Sequence, residues 1–135
     1  MSTEINEVKV KLYITSPEYC HSAVTKALEI EPTRSWEKGE QVATYVKRKA
    51  ESHGWLFQIQ EDGVEDTETL LCKMLDTIAP AEENLIELQS RYDMSVEVVI
   101  FANQYMPHVG LSPTTMTRLG QLGLPISFDI YALYD

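Results

Sequence analysis

The stretch Val8-Lys9-Val10-Lys11-Leu12-Tyr13-Ile14-Thr15-Ser16-Pro17-Glu18 carries the reading of the fold. Val8, Val10, Leu12 and Ile14 fall on one side of an extended chain and Lys9, Lys11 and Tyr13 on the other, as in a strand that buries one face. Ser16-Pro17-Glu18 then offers an N-cap, a proline suited to the first helical position and an acid for the positive end of a helix. Cys20, Ala23, Val24, Ala27 and Leu28 recur at helical spacing, and Glu31-Pro32 closes the helix because the residue before proline avoids the α region.

Working outward, Pro32 to Glu40 has no period and reads as a structured loop. Gln41 to Lys49 and Trp55 to Gln60 read as strands, joined by a hairpin turn at Ser52-His53-Gly54. Leu70, Leu71, Met74, Leu75 and Ile78 mark an amphipathic helix, and Ala79-Pro80 interrupts it. Glu82-Glu83, followed by Leu85, Leu88 and Tyr92, predicts a second helix or a kinked continuation. Ser95 to Asn103 is rich in Val and Ile and suits a central strand. Ser112-Pro113 opens a last helix with Met116, Leu119 and Leu122 on its apolar face and Gly123 at its end. Pro125 to Tyr134 closes the chain as a strand. The order β-α-β-β-α-β-α-β predicts an α+β domain spanning 1–135: a single mixed sheet with a ferredoxin-like split βαβ core and an added C-terminal helix and strand.

The 135 residues include 44% hydrophobic and 24% charged side chains, the composition of an ordinary globular domain. No apolar run approaches the roughly 18 residues of a membrane-spanning helix, and Met1 to Glu7 lacks a signal-peptide pattern. Two cysteines, Cys20 and Cys72, are too few for a disulfide framework and read as reduced cytoplasmic thiols. The formal net charge of −10 is unevenly spread. Residues 1–60 balance, whereas Glu61 to Glu97 holds 11 acids against Lys73 and Arg91. An acidic sector repels phosphate backbones and favours a basic protein partner, although acidic helix faces also serve solubility alone.

Phosphate loops, nucleophile elbows and His-Glu-x-x-His motifs are all missing from the sequence. His21, His53 and His108 lack ligand spacing, and Cys20 and His21 diverge by about 100 degrees on a helix, so neither a metal site nor a thiol catalyst is expected. Arg34, Trp36, Lys38, Trp55 and Tyr131 have the composition of a recognition surface, with the core as the other place for the tryptophans. Asp129, flanked by Phe128 and Ile130, needs water, a backbone donor or a cation, and Arg34 is a candidate partner.

The segments Ile30-Glu31-Pro32-Thr33-Arg34-Ser35-Trp36-Glu37-Lys38-Gly39 and Leu119 through Asp129-Ile130-Tyr131 resemble the bacterial domain-of-unknown-function family 4279. The resemblance covers nearly the whole chain. It implies a bacterial, cytosolic, single-domain protein in which Pro32, Thr33, Arg34, Gly39, Trp55, Asp129 and Tyr131 shape a common site or scaffold, and it brings no catalytic role.

The leading expectation is a non-enzymatic protein-binding module without cofactor, an immunity-type inhibitor of a basic toxin or effector. Its partner-binding residues would be Glu61, Asp62, Glu65, Asp66, Glu68, Asp76, Glu82, Glu83 and Glu87. The rival is a small-ligand-binding or enzymatic domain with a pocket around Arg34, Trp36, Trp55, Asp129 and Tyr131. A third reading is a homo-oligomeric scaffold using apolar strand edges near Phe101 or Tyr134.

Overall fold

The alternation in the opening stretch becomes β1 (Glu7–Ser16), with Val8, Val10, Leu12 and Ile14 buried and Lys9, Lys11, Tyr13 and Thr15 on the opposite face. The computed structural model describes residues 5–43 and 46–134. β1 is the middle strand of a five-stranded sheet in which it pairs antiparallel with both β5 (His53–Ile59) and β6 (Asp93–Ala102). β2 (Arg34–Trp36) lies outside β5, and β7 (Ile126–Ala132) lies outside β6 as its parallel neighbour. The run β6-β1-β5-β2 is antiparallel throughout and is the split βαβ core; β7 is the added strand, reached through α4 (Pro113–Leu122).

The fourth place in that core is filled from an unexpected segment. It is not Gln41 to Lys49, which forms a separate two-stranded ribbon of β3 (Gln41–Ala43) and β4 (Val46–Lys49). Three residues of the expected loop, Arg34 to Trp36, take the edge instead. Thr33 starts the pairing, donating its N–H to the Leu56 carbonyl at 2.7 Å and accepting the Gln58 N–H on its hydroxyl at 2.9 Å. A strand this short has no period to read. His53 and Gly54, expected in a turn, belong to β5.

All the helices lie on one side. α1 (His21–Leu28) packs on β5, and α2 (Thr67–Ile78) packs on β1 and β5. After a 3-10 turn at Ala79–Ala81, α3 (Glu82–Gln89) lies against α1 and α4. Between this layer and the sheet sit Leu70, Leu71, Met74, Leu75 and Ile78 of α2 with Val10, Leu12, Val96 and Val98. Ser16 does not cap α1. β1 runs through it and its hydroxyl accepts from Glu18 N–H at 3.1 Å, so the helix begins four residues later than the sequence signal suggests. The Ser112 signal does work as a cap, accepting from the Thr115 N–H, and Gly123 ends α4 with φ 69°. Met116, expected on the apolar face of that helix, is instead exposed, and Thr115 takes the buried position beside Leu119 and Leu122.

α4 is tied to α2 through Glu68, whose Oε1 accepts the Ser112 N–H at 2.6 Å and the Thr115 hydroxyl at 2.7 Å. Hydrogen bonds from Ser112, then from Thr115, hold the Glu68 carboxyl down at about 2, against an ordinary value of 4.5. Between those values the unfolded chain takes up a proton that the native chain refuses. The resulting stability is complete above pH 4.5 and is lost as the pH falls toward 2. Urea midpoints measured across that range are expected to fall more steeply for the native sequence than for Glu68→Gln. Parallel curves would show that these bonds contribute nothing to acid stability.

Candidate functional site

The helices leave the other face of the sheet uncovered. Cross-strand register places Arg34 and Trp36 of β2, Gly54 and Leu56 of β5, and Lys11, Tyr13 and Thr15 of β1 on this face. Further across it lie Ser95 and Glu97 of β6 and Asp129 and Tyr131 of β7. Arg34 and Trp36, two residues apart on an edge strand, therefore point the same way.

The β3–β4 ribbon rises beside this face and closes a cleft of about 430 Å³, a usual size for a small-ligand site. Lys11, Tyr13, Arg34 and Trp36 come from the sheet, while Arg48 comes from the ribbon. The Arg34 guanidinium lies 5.5 Å from the Trp36 ring centroid, and Tyr13 meets the indole edge-on at 6.4 Å. The Lys11 ammonium is 5.9 Å from the Tyr13 ring. Burial, followed by the charge of Glu97, raises the Tyr13 pKa while Arg34 opposes that rise, so the phenol stays protonated and able to donate. Glu40 and Glu51 also border the cleft. Glu40 already accepts the Glu37 N–H at 2.8 Å, which fixes the turn after Trp36.

Two histidines brace the same turn from below. His21 Nε2 donates to the Trp36 carbonyl at 2.8 Å, and the Lys38 N–H donates to His53 Nδ1 at 3.3 Å. The Trp36 ring lies against Gly54, where an added Cβ would come within 2.0 Å of it. Gly54→Ala is expected to expel the indole from the cleft and to cost about 1–3 kcal/mol through overpacking. A red-shifted Trp36 emission, with Trp55 replaced by phenylalanine to isolate it, would report the displacement; unchanged emission would mean that the ring tolerates the methyl.

The structure brings together only part of the pocket group expected from sequence. Arg34 and Trp36 share the cleft. Trp55 stands on the opposite, helical face, fully buried, with its Nε1–H donating to Thr25 Oγ1 at 3.0 Å. Asp129 and Tyr131 share the open face but sit on the far edge strand. With β5, β1 and β6 intervening, β2 and β7 are about 19 Å apart at normal strand spacing, so Arg34 is not the partner of Asp129. Asp129 accepts from the Tyr131 hydroxyl at 2.9 Å instead, and this bond is the first cause of the raised Tyr131 pKa. Lys11, Tyr13 and Arg48 were missed as site residues. The polar phase of β1 was legible, but nothing local showed that a ribbon would enclose it.

The nine acids expected to bind a partner also divide. Glu61 pairs with Lys73, Glu65 accepts from Tyr105, Asp66 caps α2 through the Thr69 N–H, Glu68 holds α4, and Asp76 pairs with Arg118 at 2.7 Å. These five are used within the fold. Asp62, Glu82, Glu83 and Glu87 are exposed, the last three together on α3.

Among the described residues, no group of three or more His, Cys, Asp and Glu side chains is placed to hold a metal ion, and no helix is long and apolar enough to cross a membrane. Compared with known families, residues 6–133 match the model of the domain of unknown function DUF4279. The chain belongs to the DUF4279 family. No curated protein and no solved structure matches it. The family's description assigns no activity, so the chemistry of this DUF4279 member is read from its own residues. The positions that carried the resemblance do not converge on one place. Thr33 and Gly39 shape the β2 segment, Gly39 with φ 89°, while Trp55 fills the core and Asp129 and Tyr131 face outward on β7.

Proposed function

We propose that this DUF4279 chain is a binding domain whose cleft recognises a small anionic ligand with a flat apolar part. What supports the reading is the placement of Lys11, Arg34 and Arg48 around Tyr13 and Trp36 in one concavity, in a chain of net charge −10. Guanidinium and ammonium groups bind carboxylate or phosphate through charge-assisted hydrogen bonds, and the indole and phenol rings offer stacking surface. Three cations beside two aromatic rings are the equipment of ligand recognition, and the reading is therefore recognition. The test is calorimetric titration with inorganic phosphate, citrate, benzoate and adenosine monophosphate. Binding of the aromatic anions, weakened by salt and accompanied by a change in Trp36 emission, would support the reading. Silence across all four would overturn it.

A second reading keeps the acidic surface for a basic protein, such as a toxin or effector neutralised in a bacterial cytoplasm by an immunity-type inhibitor. Its support is local: Glu82, Glu83 and Glu87 are exposed on the same helix as Ile86, an apolar side chain 46% exposed, with Glu82 and Glu83 one turn before it. An apolar contact beside charge suits an interface with electrostatic steering. Reversing the three glutamates to lysine is expected to weaken capture of the product of a neighbouring gene at least about tenfold, since each lost charge pair is worth up to about 1 kcal/mol or more. Capture unaffected by the triple reversal would remove the acidic helix from the interface.

A further inference from the structure

The strand at the far edge of the sheet is built unlike the rest of the surface. Among the described residues, five exposed large apolar side chains, Phe128, Ile130, Tyr131, Leu133 and Tyr134, lie on β7 or just beyond it. Between Leu124 and Tyr134 the only charge is Asp129, in a chain of net charge −10. Among the described residues, β7 also has no strand paired on its outer edge. Pro125 gives its carbonyl to Val96, and Leu133 gives its N–H to Ala102, so the odd-numbered residues turn their backbone toward β6. The alternate residues Ile126, Phe128, Ile130 and Ala132 therefore aim their N–H and C=O groups away from the sheet. An unpaired, apolar edge seven residues long is a template for another strand.

We propose that β7 pairs antiparallel with β7 of a second copy, joining two five-stranded sheets into one across a two-fold axis at Ile130. Three observations select that occupant and that register. First, like-charged copies are repelled most where carboxylates gather, and this edge carries one. Second, the opposite edge of the sheet is only three residues long, so head-to-tail pairing of β7 with β2 buries less than half of the strand. Two-fold pairing uses its whole length and closes after two copies. Third, an axis at Asp129 sets two carboxylates directly across from one another, which is destabilising. Moving the axis by one residue puts each Asp129 opposite the Tyr131 hydroxyl of the other copy. The same shift pairs Ile130 with Ile130 and Phe128 with Ala132, covering apolar surface that is 38% exposed at Phe128 and 42% at Ile130.

Such an edge is about 24 Å long, which makes a small interface and a concentration-dependent dimer. Sedimentation velocity of the full chain from about 1 to about 300 μM is expected to show the weight-average mass rising toward that of two copies. Ile130→Lys sets two ammonium groups face to face on the axis. It is expected to weaken the dimer at least about tenfold while leaving the thermal midpoint of the diluted monomer in place, because this side chain is already half in water. The register has its own readout. In a Cys72→Ser background, Ile130→Cys brings two α-carbons to about 5.5 Å and forms an intermolecular disulfide on mild oxidation, whereas Asp129→Cys leaves them about 8 Å apart and does not. A monomer at every concentration, a dimer indifferent to Ile130→Lys, or cross-linking through position 129 but not 130 would each overturn the proposal.

Discussion

Trp55→Ala is expected to lower the free energy of unfolding by about 3–5 kcal/mol. The indole is fully buried between the sheet and α1, and truncation leaves a cavity that well-packed neighbours fill only in part. It also strips the Thr25 hydroxyl of its donor, which adds about 1 kcal/mol. Equilibrium urea denaturation at unchanged m-value measures the loss. Trp55→Phe separates the two contributions, since it keeps most of the volume and gives up the hydrogen bond. A loss below about 1 kcal/mol for the alanine variant would contradict this placement. The same experiment distinguishes the two tryptophans, because Trp36 rests on the open face and its removal is expected to alter the cleft more than the stability of the fold.

Reversing both sheet-borne cations, Lys11→Glu with Arg34→Glu, is expected to weaken binding of an aromatic anion about a hundredfold or more. Each charge-assisted hydrogen bond is worth roughly 1.5–3 kcal/mol, and the reversal adds repulsion to its loss. Both residues lie on the outer face of the sheet, so the far-ultraviolet circular dichroism and the urea midpoint should change little. Titration of the double variant with adenosine monophosphate reads the effect. Affinity within about threefold of the native protein would place the anion site elsewhere.

Much of the scaffold is local chemistry. The four apolar residues of β1 could be assigned to the core because alternation at a period of two has one structural meaning when one face is buried. The stripe of α2 and the Ser112 and Gly123 ends of α4 are legible for the same reason: they depend on neighbours within four or so residues. The Ser16 signal failed because a serine hydroxyl can turn back on its own backbone as readily as cap a helix. β2 was invisible because three residues show no periodicity and owe their extended form to pairing with β5.

The site divides along the same line. Sequence alone supplied the residue types of the cleft, the α+β order of elements and the excess of acid between Glu61 and Glu97. It also put Arg34 and Trp36 in one expected recognition group, and the fold places both in the cleft. It could not say that Trp55 belongs to the other face, that three strands lie between Asp129 and Arg34, or that Lys11 and Arg48 converge on the pocket. Nor could it separate Glu68, spent on holding α4, from the glutamates of α3 that remain at the surface. Those outcomes depend on strand order and on which side the helices pack. Both are set by contacts between residues tens of positions apart, whose pairing is decided by the burial of the whole core rather than by any segment's own preference.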